Sequence, residues 1–310
     1  MGLTVVCRVQ LDAPEMLLRD PVFIGGMFKS GTSLLRAMLG RHPRLFAGLE
    51  TQWLAHGPEA SAPEDRRDWL ERLSIFFDVP CASLEQAIGD VSQVEACLDR
   101  LMDFLARREG KSRWVEKTPD NAGHIGRILS SWPSAKVLHV VRDPRDVYAS
   151  MVEIGKWSEP AVFAEHWCKT VGAARDWRGA QGGAHPAYHE LRYERLVLAP
   201  EPTMREVLAF LGEAWEPEVA MFNGRPEDFE RVQRATGKAS TTLKRLALPL
   251  TDSRIGVWGS IIGLERWKPA QTELGRRGYD ELVTALIAET DAISAEATRL
   301  GYAGLVGPRP

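Results

Sequence analysis

Residues 22–33 read Val-Phe-Ile-Gly-Gly-Met-Phe-Lys-Ser-Gly-Thr-Ser, and this stretch decides the fold. The apolar run at its start predicts a short buried strand, a turn rich in glycine and hydroxyl groups follows, and an apolar helix begins near residue 34. Free backbone N–H groups converge where a helix begins, and the helix dipole adds positive potential there. The stretch therefore predicts an anion-binding loop between a strand and a helix, with the positive charge of Lys29 beside it.

The loop differs from the triphosphate-binding loop of nucleotide triphosphatases at one decisive position. Gly26, four residues and Gly31 have the glycine spacing of that loop, but Thr32 stands where its lysine belongs. The lysine comes three residues earlier, at position 29, before the second glycine. An ordinary glycine turn in front of a core helix is the alternative for this segment taken alone.

A second segment, residues 136–150, reads Lys-Val-Leu-His-Val-Val-Arg-Asp-Pro-Arg-Asp-Val-Tyr-Ala-Ser. Its run of aliphatic and β-branched residues predicts a central parallel strand, and the Asp-Pro pair predicts the start of a helix. Arg142 then lies at the carboxyl end of the strand, the edge at which open α/β sheets bind ligands. Ser150 follows about two helical turns later, so guanidinium and hydroxyl can both contact one phosphate monoester.

Together the two segments resemble the two signatures of sulfotransferases that use 3′-phosphoadenosine 5′-phosphosulfate (PAPS). Residues 29–33, Lys-Ser-Gly-Thr-Ser, resemble the loop with which that family binds the 5′-phosphosulfate. The Arg-Asp-Pro-Arg core and the spacing of Arg142 and Ser150 resemble the family's 3′-phosphate site. The likeness spans roughly residues 20–302 and implies PAPS as cosubstrate.

The same resemblance implies further contacts with the nucleotide. Tyr193 matches the family tyrosine that lies against the adenine. The family's Gly-Arg-Trp element resembles both 255–258, preceded by Arg254, and 264–267, which contains Arg266. The second match keeps the basic residue and joins the final helix without a gap, so it is preferred. The implied nucleotide-binding residues are Lys29, Ser30, Gly31, Thr32, Ser33, Arg142, Ser150, Tyr193 and Arg266.

Sulfuryl transfer requires positive charge where the nucleotide oxygen leaves. The transferred group carries less charge than a phosphoryl group, so fixed lysines can replace magnesium and no metal is expected. Lys29 in the loop is one such residue. Lys117 follows a predicted strand at the same sheet edge and matches a family lysine that stabilises the departing nucleotide. A solvated surface lysine is the alternative for Lys117.

The resemblance also locates a general base. The cytosolic branch, which acts on phenols and steroids, has a histidine just after a Lys-Thr pair, but here Pro119 occupies that position. The protein-tyrosine branch uses a glutamate in a Gly-Glu-Glu-Thr-Arg segment, and Glu50 falls on it within residues 48–52. Gln52 replaces the family arginine, which puts a tyrosine peptide acceptor in doubt. A solvated loop glutamate is the alternative, with His124 as the substitute base.

Composition bounds the class of protein. A chain of 310 residues with 44% hydrophobic and 26% charged residues can bury a large core. The net charge of −3 and the lack of a long basic cluster argue against a nucleic-acid partner. The four cysteines are scattered and fit free thiols in a reducing compartment. No apolar run reaches the ~18 residues of a membrane span, so a cytoplasmic protein is expected.

Alternating strand and helix patterns predict an α/β fold, with a central parallel sheet flanked by helices as in the P-loop-containing nucleotide hydrolases. We expect one sulfotransferase domain over 1–310, with a helical insertion at about 52–110 and a closing C-terminal helix at about 276–300. Other predicted helices lie at about 64–77, 83–108, 121–131, 143–154 and 159–178, and further strands at 113–117 and 187–193.

Three functions follow from these observations. The first is a PAPS-dependent sulfotransferase (EC 2.8.2.-) whose acceptor is a hydroxyl of a small molecule, lipid, sugar or peptide tyrosine. The second is a P-loop kinase, which needs a lysine near position 32 and an aspartate for magnesium. The third is a non-catalytic nucleotide-binding scaffold, which would keep the phosphate sites without a base. Glu50 and Lys117 favour the enzyme, while the acceptor and the oligomeric state stay open.

Overall fold

Five parallel strands form the centre of the molecule in a computed structural model, which describes residues 20–56, 63–91, 93–221, 230, 233–234 and 255–300. The strands are β1 (Val22–Gly25), β2 (Leu45–Ala47), β3 (Arg113–Lys117), β4 (Lys136–Val141) and β5 (Tyr188–Arg192). They pair in the order β2-β3-β1-β4-β5, and every pairing is parallel. The predicted parallel α/β fold is confirmed.

Helices connect and flank these strands. They are α1 (Thr32–Leu39), α2 (Trp53–His56), α3 (Pro63–Phe77), α4 (Cys81–Ile88), α5 (Val94–Arg108), α6 (Ile125–Ser131), α7 (Pro144–Glu153), α8 (Pro160–Trp167), α9 (Ala173–Ala180), α10 (Tyr193–Leu198), α11 (Pro200–Leu211), α12 (Trp258–Ile261), α13 (Gly263–Arg276) and α14 (Asp280–Arg299). Short 3₁₀ turns lie at Pro119–Gly123 and Pro217–Val219, and a π-helical turn lies at Cys168–Gly172.

The central strand β1 determines where a ligand can bind. All four of its residues are buried, as expected of a strand that has neighbours on both sides. Ile24 is in register with Lys117 of β3 and with Leu138 of β4. The chain crosses from β1 to β2 on one side and later enters β4 on the other, so the strand order reverses at β1. Crevices outside the carboxyl ends of strands at such a reversal are the usual ligand sites of open parallel sheets.

Two predicted helices have different bounds from those expected. The helix predicted at 83–108 is two helices, because Gly89 has a φ of 62° and ends α4 before α5 begins. The helix predicted at 121–131 is a 3₁₀ turn followed by α6, with His124 at the junction. The helix predicted at 159–178 consists of α8, the π-helical turn and α9, which follow one another without a break.

Buried apolar residues form two clusters. The larger surrounds the sheet together with α1, α3, α5 and α11. The smaller joins α7 and α8 to α13 and α14, and includes Met27 of the anion-binding loop. The last two helices therefore pack against the helices that follow β4. Among the described residues, no helix combines the length and the hydropathy that crossing a membrane requires.

Candidate active site

The loop between β1 and α1 has a shape suited to an anion. Gly31 precedes α1 with a φ of 101°, and Lys29 also has a positive φ, of 72°. The Ser30 N–H donates to the carbonyl of Met27 at 2.9 Å, which tightens the turn. The Ser30 hydroxyl is buried and has no hydrogen-bond partner among the residues that the structure describes. A buried hydroxyl before a helix N-terminus fits an anionic ligand oxygen.

The ring of Tyr193 closes the loop from the β5 side. Tyr193 begins α10 directly after β5, and it is buried. A Cβ atom on Gly31 would lie only 2.3 Å from Cδ2 of this ring. Glycine is therefore required at position 31 both for its φ and for the close approach of the tyrosine. Thr32 is buried and Ser33 half-buried in the first turn of α1.

Arg142 connects the two predicted binding motifs. Its Nη1 donates to the carbonyl of Lys29 at 3.0 Å, and its guanidinium carbon lies 4.6 Å from the centre of the Tyr193 ring. Its Nη2 lies 3.6 Å from Oδ2 of Asp146, one turn into α7. Ser150 is buried on the same helix. The structure thus brings Lys29, Arg142 and Tyr193 together at the carboxyl edge of the sheet.

Residues beside Tyr193 fix its position. Glu194 accepts from the Asp143 N–H at 2.7 Å and from Arg192 Nε at 3.1 Å. Arg192 also donates to Glu289 and to Thr290 Oγ1 of α14, each at 2.7 Å. Because Glu194 is fully buried, burial raises the pKa of its carboxyl group, against the nearby Arg192 charge. These contacts anchor α14 to the site.

The contact of Arg266 with the nucleotide, expected from the family resemblance, stays a prediction. Arg266 is exposed on α13, and its charge acts on the phenol of Tyr148. Asp146, which neighbours Arg142, accepts from the N–H groups of Gly256 at 2.8 Å and Trp258 at 3.1 Å. Residues 255–258, the first match to the family's Gly-Arg-Trp element, therefore lie close to the predicted 3′-phosphate site around Arg142. Arg254 lies outside the described residues.

Glu50 lies in a segment that contacts three consecutive residues at the end of β3, namely its last two residues and Thr118. The Lys117 ammonium donates to Oε2 of Glu50. The Gln52 N–H donates to Oγ1 of Thr118 at 3.0 Å. The Thr51 hydroxyl donates to Oε1 of Glu116 at 2.9 Å. The side chain of Lys117 is 5% exposed and that of Glu50 is 27% exposed. The carboxylate is therefore the member of the pair that a ligand can reach.

Glu116, which no sequence pattern singled out, is a buried carboxyl group at the centre of this contact. Its Oε1 accepts from the N–H and the hydroxyl of Thr51, at 3.3 and 2.9 Å, and from the Thr118 hydroxyl at 2.8 Å. Its Oε2 accepts from Nδ2 of Asn121 at 2.6 Å. Complete burial raises the pKa of Glu116, although these donors oppose the rise. Glu116 thereby joins the Glu50 segment to β3 and to the following 3₁₀ turn.

The surroundings of Glu50 favour its ionised form. Burial acts to raise the pKa, but the charge and hydrogen bond of Lys117 outweigh it, with help from Gln52 and from Arg36 of α1. The pKa of Glu50 is therefore lowered from its ordinary value. A carboxylate that is ionised near neutral pH and partly exposed can accept a proton from a bound hydroxyl.

Arg72 is the second residue that the sequence did not single out. It projects from α3, where Nη2 donates to the carbonyl of Thr51 at 3.1 Å and Nη1 to Oε1 of Gln52 at 3.4 Å. Nε2 of Gln52 in turn donates to Oε1 of Glu50 at 2.9 Å. No local pattern marks Arg72 in the sequence, since its partners lie about 20 residues away.

His124 lies half-buried between the 3₁₀ turn and α6. His139 is fully buried on β4, with Nδ1 2.7 Å from the hydroxyl of Tyr188.

The family model described as "Sulfotransferase family" matches residues 21–217 of this chain. A protein-tyrosine sulfotransferase of Drosophila melanogaster is 26% identical over 215 residues, which make up 64% of this chain and 39% of that protein. Protein-tyrosine sulfotransferase 2 of Gallus gallus is 25% identical over 284 residues, with 84% of this chain and 69% of that protein covered. The chain thus spans well under half the length of the Drosophila relative.

A solved structure has a similar fold. The sulfotransferase domain from the curacin biosynthetic pathway aligns with a TM-score of 0.57 at 20% sequence identity. The alignment covers 83% of this chain and 98% of that domain.

Proposed function

This chain belongs to the sulfotransferase family, and from that premise we propose that it transfers a sulfuryl group from PAPS to an acceptor hydroxyl. The observation that carries the proposal is the pairing of Glu50 with Lys117 beside the anion-binding loop. A proton acceptor and a cation at the carboxyl edge of the sheet are the two groups that metal-free sulfuryl transfer needs.

The donor site is assigned from the loop and from the residues around Arg142. The Ser30 hydroxyl, the N–H groups at the start of α1 and the Lys29 ammonium would bind the 5′-phosphosulfate, with Thr32 and Ser33 in the first helical turn. Arg142 and Ser150 would bind the 3′-phosphate. The closeness of Arg142 to Lys29 and Tyr193 supports this assignment, because both ends of one nucleotide must reach the same sheet edge. The role of Tyr193 beside the adenine rests on the family resemblance.

In the proposed step the acceptor oxygen attacks sulfur in line with the bridging phosphate oxygen. A new S–O bond forms, the old S–O bond breaks, and adenosine 3′,5′-bisphosphate (PAP) leaves with the electron pair of that bond. Glu50 takes the proton of the acceptor hydroxyl. Lys29 and Lys117 neutralise the charge that develops on the leaving oxygen, as fixed cations do in phosphoryl transfer.

The class of acceptor is a hydroxyl compound. The two relatives described above are named protein-tyrosine sulfotransferases, which supports a phenolic hydroxyl. Gln52 stands where the protein-tyrosine branch has an arginine, and it contacts Glu50 instead of remaining free for a peptide. Small molecules, lipids and sugars are therefore acceptors to be tested beside tyrosine peptides.

The test uses chelator-treated protein and PAPS labelled on the sulfuryl group. We expect calorimetry to detect PAPS and PAP binding without added metal, and label to pass to an acceptor in fractionated extracts of the source organism. Tighter binding of ATP than of PAPS, or turnover only with magnesium, would favour the kinase. Binding of PAPS without transfer to any fraction would favour the scaffold.

A further inference from the structure

We infer that Arg72, which lies on α3 outside both binding motifs, is a positioning residue that orients the Gln52 amide and thereby the Glu50 carboxylate. The inference rests on the proposed role of Glu50 as the general base. The chain has Gln52 where the family has an arginine, and Arg72 supplies a positive charge to this segment from α3 instead.

The contacts of Gln52 determine which way its amide faces. A guanidinium can only donate hydrogen bonds, so the group 3.4 Å from Nη1 of Arg72 is the amide oxygen of Gln52. The amide nitrogen then faces Oε1 of Glu50, to which it donates at 2.9 Å. In the reversed orientation an N–H would face the guanidinium and an oxygen would face the carboxylate. Arg72 and Glu50 therefore select the same orientation of one amide.

The backbone at Gln52 also needs support. Its φ of 56° lies in the left-handed region, which is unfavourable for a residue with a side chain. Two hydrogen bonds hold the peptide that precedes this residue: the Gln52 N–H donates to Oγ1 of Thr118, and the Thr51 carbonyl accepts from Nη2 of Arg72. Loss of the second bond would leave this peptide held by Thr118 alone and would weaken the restraint on the Gln52 backbone.

Arg72 is itself held in place. Its guanidinium carbon lies 3.9 Å from the centre of the Trp69 ring and 5.9 Å from that of Phe76. The guanidinium thus lies against rings from the preceding and the following turns of α3, while its nitrogens reach two acceptors of the neighbouring segment. A lysine has neither the planar stacking surface nor the fork, so it cannot replace both functions.

The positive charge of Arg72 and its hydrogen bonds to the Gln52 segment both favour the ionised form of Glu50. The charged groups that face Glu50 are Lys117 from β3, Arg36 from α1 and Arg72 from α3. Glu116 lies beyond Thr51 and bonds to it rather than to Glu50. Removal of Arg72 takes away a positive charge and the restraint on Gln52, and both losses make the ionised form of Glu50 less favourable.

The test compares Arg72→Met with Arg67→Met, an arginine on the same helix that is exposed and paired with Glu71. We expect Arg72→Met to lower kcat by about tenfold to a hundredfold, with little change in KM for PAPS. The acid limb of the kcat/KM profile should move to higher pH, and Arg72→Lys should recover only part of the loss. Arg67→Met should resemble the unsubstituted protein in both measurements.

A double substitution separates positioning from simple support of the fold. If Arg72 acts through Gln52, Arg72→Met should cost far less in a Gln52→Met background than alone. Additive losses with an unmoved acid limb would overturn the inference. If Arg72→Met does not fold, Gln52→Met alone must still lower kcat and move the acid limb, and unchanged values there would also overturn it.

The inference can be tested even if the proposed function is wrong. If the protein transfers no sulfuryl group, the Glu50 carboxyl carbon can be followed by NMR, with Glu50→Gln used to assign the signal. A higher titration midpoint in Arg72→Met than in Arg67→Met would support the positioning role without any turnover. Equal midpoints would reject it.

Discussion

Lys117 donates a hydrogen bond directly to the Glu50 carboxylate, and this ion pair joins the end of β3 to a segment 67 residues earlier in the chain. The ammonium is buried whereas the carboxylate keeps an open side. A bound acceptor can therefore reach Glu50, while the lysine stays in a shielded position where its charge acts strongly on nearby groups.

Substitution of Glu50 tests the base directly. Glu50→Gln keeps the shape but removes the basic oxygen, so turnover should fall by roughly 10²–10⁴ while PAPS affinity stays nearly the same. The loss should shrink for acceptors with more acidic hydroxyls, which need less help with deprotonation. Steady-state kinetics and calorimetry measure the two effects, with His124→Ala as control. A variant with more than half of normal turnover, beside an inactive His124→Ala, would show that the base is misassigned.

Lys117 should control the pH at which Glu50 works. Because Lys117 lowers the pKa of Glu50, the base stays ionised as pH falls and activity is lost only below the ordinary glutamate range. Lys117→Met removes that influence, so the acid limb of kcat/KM should move to higher pH. Turnover should also fall by roughly 10²–10³, the usual effect of losing one stabilising donor. An acid limb at the same pH in both proteins would mean that Lys117 does not act on the base.

The anion-binding loop and the start of α7 could be predicted from the sequence because their signals are local. Gly26, Gly31 and the Asp-Pro pair at 143–144 act on their own neighbours, and such effects are readable from spacing alone. The same holds for Glu50, whose place in the site is reached by resemblance to a short segment.

Other parts of the site have no local signal. The bond between Thr51 and Glu116 spans 65 residues, and no periodic pattern marks either one. Residues 256 and 258 contact Asp146 through backbone N–H groups, which leave no side-chain signature in the sequence. Long-range and backbone-mediated contacts therefore could not be predicted from the sequence.

Arg142 should matter most for ligands that carry a 3′-phosphate. Arg142→Ala removes a charge-assisted contact, so PAP affinity should fall by an amount on the order of 2–4 kcal/mol. Adenosine 5′-phosphosulfate lacks that phosphate and should lose much less. Some loss is expected for both ligands, because Arg142 also bonds to the carbonyl of Lys29. Calorimetry with the two ligands measures the difference, and equal losses would make Arg142 a structural residue only.

Gly31→Ala should lower the free energy of unfolding by more than the strain of its φ alone would. The new methyl group would lie 2.3 Å from the Tyr193 ring, in addition to the strain of a φ of 101°. Gly110→Ala is the matched control, since its φ is 66° but no atom lies within 4 Å of the added carbon. We expect Gly110→Ala to cost about 1–2 kcal/mol of unfolding free energy. Gly31→Ala should cost more and also weaken PAP binding; equal costs in urea unfolding would contradict the close approach of Tyr193.

Glu116→Gln should loosen the segment that carries Glu50. Glu116 accepts all four of its hydrogen bonds; both oxygens of a carboxyl group can accept even when one is protonated, whereas a glutamine NH₂ group cannot and would face one of the donors. Near pH 5 the variant should lose roughly 1–3 kcal/mol of unfolding free energy, with Glu109→Gln, an exposed site, as control.

The pH dependence of that loss has a definite sign. Burial raises the folded-state pKa of Glu116 above its unfolded value. The stabilisation it provides is therefore complete at low pH and declines as pH rises through the folded pKa. The difference in unfolding free energy between the natural protein and Glu116→Gln should accordingly shrink from acid toward neutral pH. Denaturant unfolding across that range measures it. A difference that grows with pH would instead show that the four donors, and not burial, dominate at Glu116, and that the carboxylate is the form which anchors Thr51.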